Sequence, residues 1–239
     1  MTNNIKRLVT YIGTILVFLA VIALANAEEK SIPVKTLDVN ETIVLRGTIN
    51  FSSSNPIIQR ILRADNNPRV DTIFLVLDSG GGSIVAGNSI IAAMKSLEKP
   101  IVCIAIFAAS MAHGIMQHCD VRFVTEDGVS MIHRARGRFG GYFNNGEVES
   151  QLKLWKAIVT KMEKKNASRM GYSYKEYQSL AANEFWCQGD ECVKNRFVDH
   201  IINIRCTSKL LQSKYPIRSR FGETAGYLSG CPLIRGIIK

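Results

Sequence analysis

Ser110, His133 and the glycines of Ser79-Gly80-Gly81-Gly82-Ser83 are the residues of this sequence whose types and order could do chemistry together. A serine hydroxyl becomes a useful nucleophile once a base takes its proton. Histidine is the side chain best poised to take it near neutral pH. Acyl transfer also needs donors aimed at the developing oxyanion, and backbone N–H groups at a glycine loop and a helix start provide them, at about 3–4 kcal/mol each. Taken singly these features are ordinary: a serine before a helix is most often an N-cap and a glycine triplet a turn. Ser110 at the end of an apolar strand, with Met131-Ile132-His133 downstream, gives them a common context.

That context needs a strand that turns sharply into a helix. Ile101–Phe107 is an unbroken apolar run, and the pattern predicts a helix from Ser110 to about His118. Such a turn lifts the serine above a sheet and points the next N–H, that of Met111, outward. Thr72–Leu77 reads as a second strand buried on both faces. It leads through the glycine loop into a helix from Ile84 to Leu97, so Gly81 and Gly82 can bring a second donor beside Ser110. Ile43–Gly47 predicts the first strand, and Asn55-Pro56 the start of a helix that Asn66-Asn67-Pro68 ends. Val121–Val124 and Val129–Ile132 read as two short strands, and Gly137–Gly146 as a loop or a mobile hairpin. A long helix covers Glu147–Arg169, with Leu152, Trp155, Ile158, Val159 and Met162 on one face, and a further helix covers Tyr174–Ala182. Val198–Ile204 is the closing strand. The alternation implies an α/β fold with a largely parallel sheet flanked by helices.

The chain has 239 residues, 46% hydrophobic and 21% charged, with a net charge of +10. Lys6 and Arg7, an apolar run from Leu8 to Leu24 and then Ala25-Asn26-Ala27 form the pattern of an export signal over residues 1–27. The alternative is an N-terminal membrane anchor, since the run is near the lower limit of about 17 residues for a spanning helix. The expected products are a main domain over 28–206 and a basic extension over 207–239. That extension carries six basic residues against Glu223 alone. It is expected to be solvated, with contact to a membrane surface as a further option. No aromatic stacking pattern accompanies it, and export argues against nucleic acid. All six cysteines follow the signal, which suggests disulfides in a periplasmic or secreted protein. Spacing favours a Cys187–Cys192 clip and a Cys206–Cys231 tie for the tail, whereas Cys103 and Cys119 could pair or stay as buried thiols. No metal site or cofactor is expected from the scattered histidines.

The motifs resemble those of the Clp protease proteolytic subunit, a serine peptidase with a crotonase-like fold of repeated β-β-α units. Asp78-Ser79-Gly80-Gly81-Gly82-Ser83 is similar to that family's Asn-Ser-Pro-Gly-Gly-Ser. Ala108-Ala109-Ser110-Met111-Ala112 is similar to Ala-Ala-Ser-Met-Gly, and Met131-Ile132-His133-Arg134 to Met-Ile-His-Gln. The resemblance spans roughly residues 43–202. It implies that Ser110 is the nucleophile, His133 the general base, and Gly82 and Met111 the oxyanion donors. It also implies a homo-oligomer acting on peptides or unfolded segments. Three positions depart from the pattern: Asp78 replaces a neutral amide, Gly80 replaces a proline, and the place of the family's aspartate falls on Leu180. No aspartate occurs between Asp127 and Asp190, so Asn183 and Glu184 are the nearest polar candidates for the third catalytic member. Without such a member, the alternative is a binding or scaffold protein that keeps the fold.

Overall fold

A computed structural model of the chain describes residues 31–137, 144–218 and 224–238. The expected export signal therefore lies outside the described residues, and the fold concerns the unit that begins at Val34. Strand β1 (Val34–Leu37) leads into β2 (Thr42–Arg46), β3 (Ile73–Ser79), β4 (Ile101–Ala109) and β5 (Val121–Ile132). Strands β2 to β5 are neighbours in one sheet and run parallel. Strand β6 (Phe185–Gln188) extends the sheet antiparallel to β5, and β7 (His200–Ile201) pairs with β5 beside it. Strand β8 (Asn203–Cys206) pairs in parallel with β1.

The sheet's two faces have separate cores because strand side chains alternate. Leu75, Leu77, Cys103 and Ala105 face the core under the helices, while Val76 and Ile104 face the other way. Helix α1 (Phe51–Asp65) returns β2 to β3, α2 (Ile84–Met94) returns β3 to β4, and the short α3 (Met111–Met116) returns β4 to β5. Helix α1 starts four residues earlier than Asn55-Pro56 suggests. Asn50 and Ser53 form a reciprocal capping box there, and Pro56 is carried inside the helix.

The two short strands expected over 121–132 are one twelve-residue strand. The register shifts between Ala105 and Phe107 on its partner, which absorbs Glu126-Asp127-Gly128. Helix α4 runs from Asn145 to Met170, capped by Asn144 and Gly171. Its buried residues are Glu163, Asn166, Ala167 and Met170. The outer half, including Val148, Leu152 and Leu154, is exposed. Helices α5 (Tyr174–Leu180) and α6 (Gly189–Lys194) complete this side, joined by a 3-10 turn at Ala181–Asn183 and by β6.

The described residues of the C-terminal segment are folded, contrary to the expected solvated extension. Helix α7 (Ser208–Gln212) precedes β9 (Lys214–Arg218), β10 (Thr224–Ser229) and β11 (Ile237–Ile238), which form a small antiparallel sheet. Leu210 and Cys231 are buried against Leu37, Val76 and Ile104 of the second core. That face of the sheet is apolar and needs a cover, and the segment provides one. The Arg60 guanidinium stacks 4.1 Å over the Tyr215 ring and donates to its hydroxyl at 2.9 Å. Three disulfides are formed, Cys103–Cys119, Cys187–Cys192 and Cys206–Cys231. The first resolves the alternative of free thiols.

Candidate active site

Ser110 sits at the junction of β4 and α3 with φ 56 and ψ −119, a backbone conformation that non-glycine residues rarely adopt. A residue held there costs about 1–3 kcal/mol, which the surroundings must supply. They do so from both sides. Ser110 N–H donates to the Met131 carbonyl at 2.9 Å, continuing the β4–β5 ladder, and Gly114 N–H donates to the Ser110 carbonyl at 3.1 Å, opening the helix. The Ser110 side chain makes no capping bond. Its Oγ lies 2.7 Å from His133 Nε2 instead.

His133 follows the end of β5 and is half-buried. The Arg134 N–H donates to the Ala181 carbonyl at 3.0 Å, fixing the chain just beyond it. When Ser110 Oγ–H donates to Nε2, the imidazole proton is on Nδ1. That atom is buried and has no hydrogen-bond partner among the described residues. A buried polar group left in this way costs about 1–3 kcal/mol. Glu184, with φ 60, points its carboxylate to Arg136 at 3.0 Å, and Asn183 is exposed. Neither candidate third member reaches Nδ1 in this structure.

The glycine loop closes on Ser110. A Cβ on Gly81 would stand 2.7 Å from the Ala109 carbonyl oxygen and 2.8 Å from Met111 N, and one on Gly82 would collide with the Ile49 carbonyl oxygen. Both glycines have positive φ, 92° and 146°. Gly82 bridges Ile49 in parallel: Ile49 N–H donates to the Gly81 carbonyl at 2.9 Å and Ser83 N–H to the Ile49 carbonyl at 2.8 Å. In such a bridge the central residue's own N–H points away from its partner. Gly82 N–H and Met111 N–H thus have no acceptor among the described residues. Gly82, Ser110, Met111 and His133 line a single cavity of about 140 Å³, walled by Met162 and Tyr177. Asn166 Nδ2 donates to the Tyr177 hydroxyl at 3.3 Å, while Asn166 Oδ1 is buried and unpaired among the described residues. Burial pushes the Tyr177 phenol up to about 12, so it stays protonated.

A hydrogen-bonded serine–histidine pair in a small cavity that Gly82 and Met111 also line is compatible with acyl transfer, and the comparisons with known proteins point the same way. The model of the family described as Clp protease matches residues 25–205. The chain belongs to the Clp protease family. It is 28% identical over 167 residues to ATP-dependent Clp protease proteolytic subunit 2 of Tropheryma whipplei (strain Twist), covering 68% of this chain and 92% of that one. It is 24% identical over 163 residues to the ATP-dependent Clp protease proteolytic subunit of Streptococcus mutans serotype c, covering 67% and 83%. The mixed α/β architecture with its mostly parallel central sheet is the crotonase-like fold expected of the family.

Three charged or titratable groups near the site also have defined partners. Asp78, where the family motif has an amide, accepts from Arg46 Nε at 3.1 Å and from Arg235 Nη2 at 2.9 Å. Sequence reasoning registered the charge but not its partners, which come from distant segments and leave no local pattern. His113 is fully buried, 2.9 Å from Ser130 Oγ and edge-on to the Phe197 ring. It is a packing histidine and no second base. Asp199 accepts from Arg122 of β5 through Nε and Nη2. Burial alone would raise its carboxyl, but hydrogen bonds from Arg122 and the charges of Arg122 and Arg169 keep it below the usual range.

Proposed function

We propose that this Clp family member is a serine-type peptidase that cleaves peptides or unfolded segments. The observation that carries this reading is the 2.7 Å approach of Ser110 Oγ to His133 Nε2 in the cavity that Gly82 and Met111 also line. In the first half-reaction Ser110 Oγ attacks the scissile carbonyl carbon as its proton passes to Nε2. The carbonyl oxygen, now an oxyanion, takes the hydrogen bonds of Gly82 and Met111. The C–N bond then breaks, the amine leaves with the proton from His133, and an acyl-Ser110 ester remains. Water, deprotonated by the same histidine, returns the serine. A cavity of about 140 Å³ receives one side chain rather than a folded surface.

This reading includes export to an oxidising compartment, supported by three disulfides that leave no free cysteine among the described residues. It also includes assembly of several copies, supported by the exposed Val148, Leu152 and Leu154 on α4. The relatives are named as subunits of a protease. A fluorophosphonate probe tests the chemistry: stoichiometric labelling that disappears in Ser110→Ala supports it, and an unlabelled folded protein refutes it. The lack of a partner for His133 Nδ1 among the described residues favours a second reading, a binding protein that keeps the fold. It predicts that Ser110→Ala leaves the biological phenotype unchanged.

A further inference from the structure

The residues around Asp78 tie the C-terminal segment to the glycine loop. Asp78 is the penultimate residue of β3, and its side chain is only 10% exposed. One carboxylate oxygen accepts from Arg46 and the other from Arg235. Arg46 in turn donates through Nη2 to the Pro232 carbonyl at 3.0 Å. Two of the four groups in this closed circuit, Pro232 and Arg235, come from the segment that Cys206–Cys231 fastens. They lie beyond residue 205, where the family match ends.

From Asp78 the contacts run without a gap to the site. Gly47 N–H donates to the Asp78 carbonyl at 3.0 Å, and Ser79 Oγ donates to the Gly47 carbonyl at 2.5 Å. Gly81 N–H donates to Ser79 Oγ at 3.1 Å, and Gly81 and Ser83 bond Ile49 on either side of Gly82. Gly80 stands where the family motif has a proline, so the loop's own backbone is less restricted at that position. Arg235 is 58% exposed, and an ion pair so open to water adds little to global stability. What it does is fix the direction of a carboxylate that Arg46 already neutralises.

We propose that the C-terminal segment is a brace for the oxyanion loop: Arg235 and the Pro232 carbonyl, acting through Asp78 and Arg46, hold Gly82 N–H in register with Met111 N–H. These are positioning residues, and the proposal rests on the peptidase reading of the site. The full-length chain tests it in the variants Arg235→Gln, Arg235→Lys, Asp78→Asn and the double variant Asp78→Asn/Arg235→Gln. Amide hydrogen exchange over residues 79–83 and steady-state hydrolysis of a chromogenic peptide are the two readouts. In Arg235→Gln the loop amides exchange about tenfold faster. Turnover falls about tenfold and KM changes less than twofold, because misplacing a donor by a fraction of an ångström weakens it only in the transition state. Arg235→Lys recovers most of the loss, and the double variant is no worse than its worse parent. Unchanged loop exchange in Arg235→Gln overturns the brace. So does faster exchange spread evenly over β3 and β4, which marks a purely structural role. If loop exchange rises selectively while the wild-type chain neither labels nor hydrolyses peptide, the brace stands and the peptidase reading fails.

Discussion

At the scale of single residues, the site turns on what stands behind His133. The imidazole has its serine but no acceptor for Nδ1 among the described residues, and the loss of that acceptor costs as much as about 10⁴-fold in turnover in serine peptidases. The Arg134–Ala181 bond brings residues 180 and 181 beside His133. Leu180→Asp, placing a carboxylate where the family resemblance puts its acid, is therefore expected to raise turnover at least about tenfold, read as initial rates on a peptide substrate. A second residue-scale prediction concerns His113. Burial, and after it the charge of Arg122, hold this imidazole down to about 3, against about 6.5 in the unfolded chain. Between those values the unfolded chain binds a proton that the folded one refuses, so stability falls as pH drops below about 6.5, by about 1.4 kcal/mol per unit. His118, lowered to about 4 by burial, Lys95 and Lys165, acts in the same direction. Urea titrations at pH 7 and pH 5 should show the loss, and His113→Gln should reduce it. Ser110 and His133 were legible in the sequence because a strand end and a helix start leave local signals. The sequence also showed the family's aspartate to be missing, but not that Asn183 and Glu184 leave Nδ1 without a partner among the described residues, since that depends on side-chain directions around the 3-10 turn.

At the scale of elements, the glycine loop and β4–α3 junction behave as one device. Gly81→Ala would set a methyl group against Met111 N and the Ala109 carbonyl. It is expected to lower turnover about 100-fold, because the two N–H groups proposed as oxyanion donors, those of Gly82 and Met111, would be displaced to admit it, and to lower the melting temperature by several degrees. Differential scanning calorimetry beside peptide kinetics separates the two effects. Most strands and helices were readable from apolar runs and breakers, since β3 and β4 are buried on both faces and carry unbroken hydrophobic sequence. The merged β5 was not. Glu126-Asp127-Gly128 reads as a turn, and only the register shift opposite Ile106 lets the strand pass through it. On α4 the apolar residues were visible, but burial is confined to its last turns. An amphipathic pattern does not say whether its cover comes from the same chain.

At the scale of the whole molecule, the C-terminal segment departs furthest from what its sequence suggests. Its basic residues read as a solvated tail, yet Leu210 and Cys231 close the second core, and Arg235 finds its partner on β3. Contacts so distant in sequence have no local signature. The Cys206–Cys231 bond closes a loop with a sequence separation of 25, which corresponds to about 3.5 kcal/mol of stabilisation. Replacing both cysteines by serine should lower stability by about that amount and open 207–239 to limited proteolysis, detected by mass spectrometry, with the main sheet left intact. The order of synthesis gives this arrangement one more meaning. Serine, histidine and glycine loop have all been translated once residue 133 is made, but Arg235 follows roughly 100 residues later, some 5–20 seconds at ordinary elongation rates. A nascent chain thus holds Ser110, His133 and the glycine loop before it holds Arg235, so on the brace proposal the loop is aimed only after the groups beside it have been made.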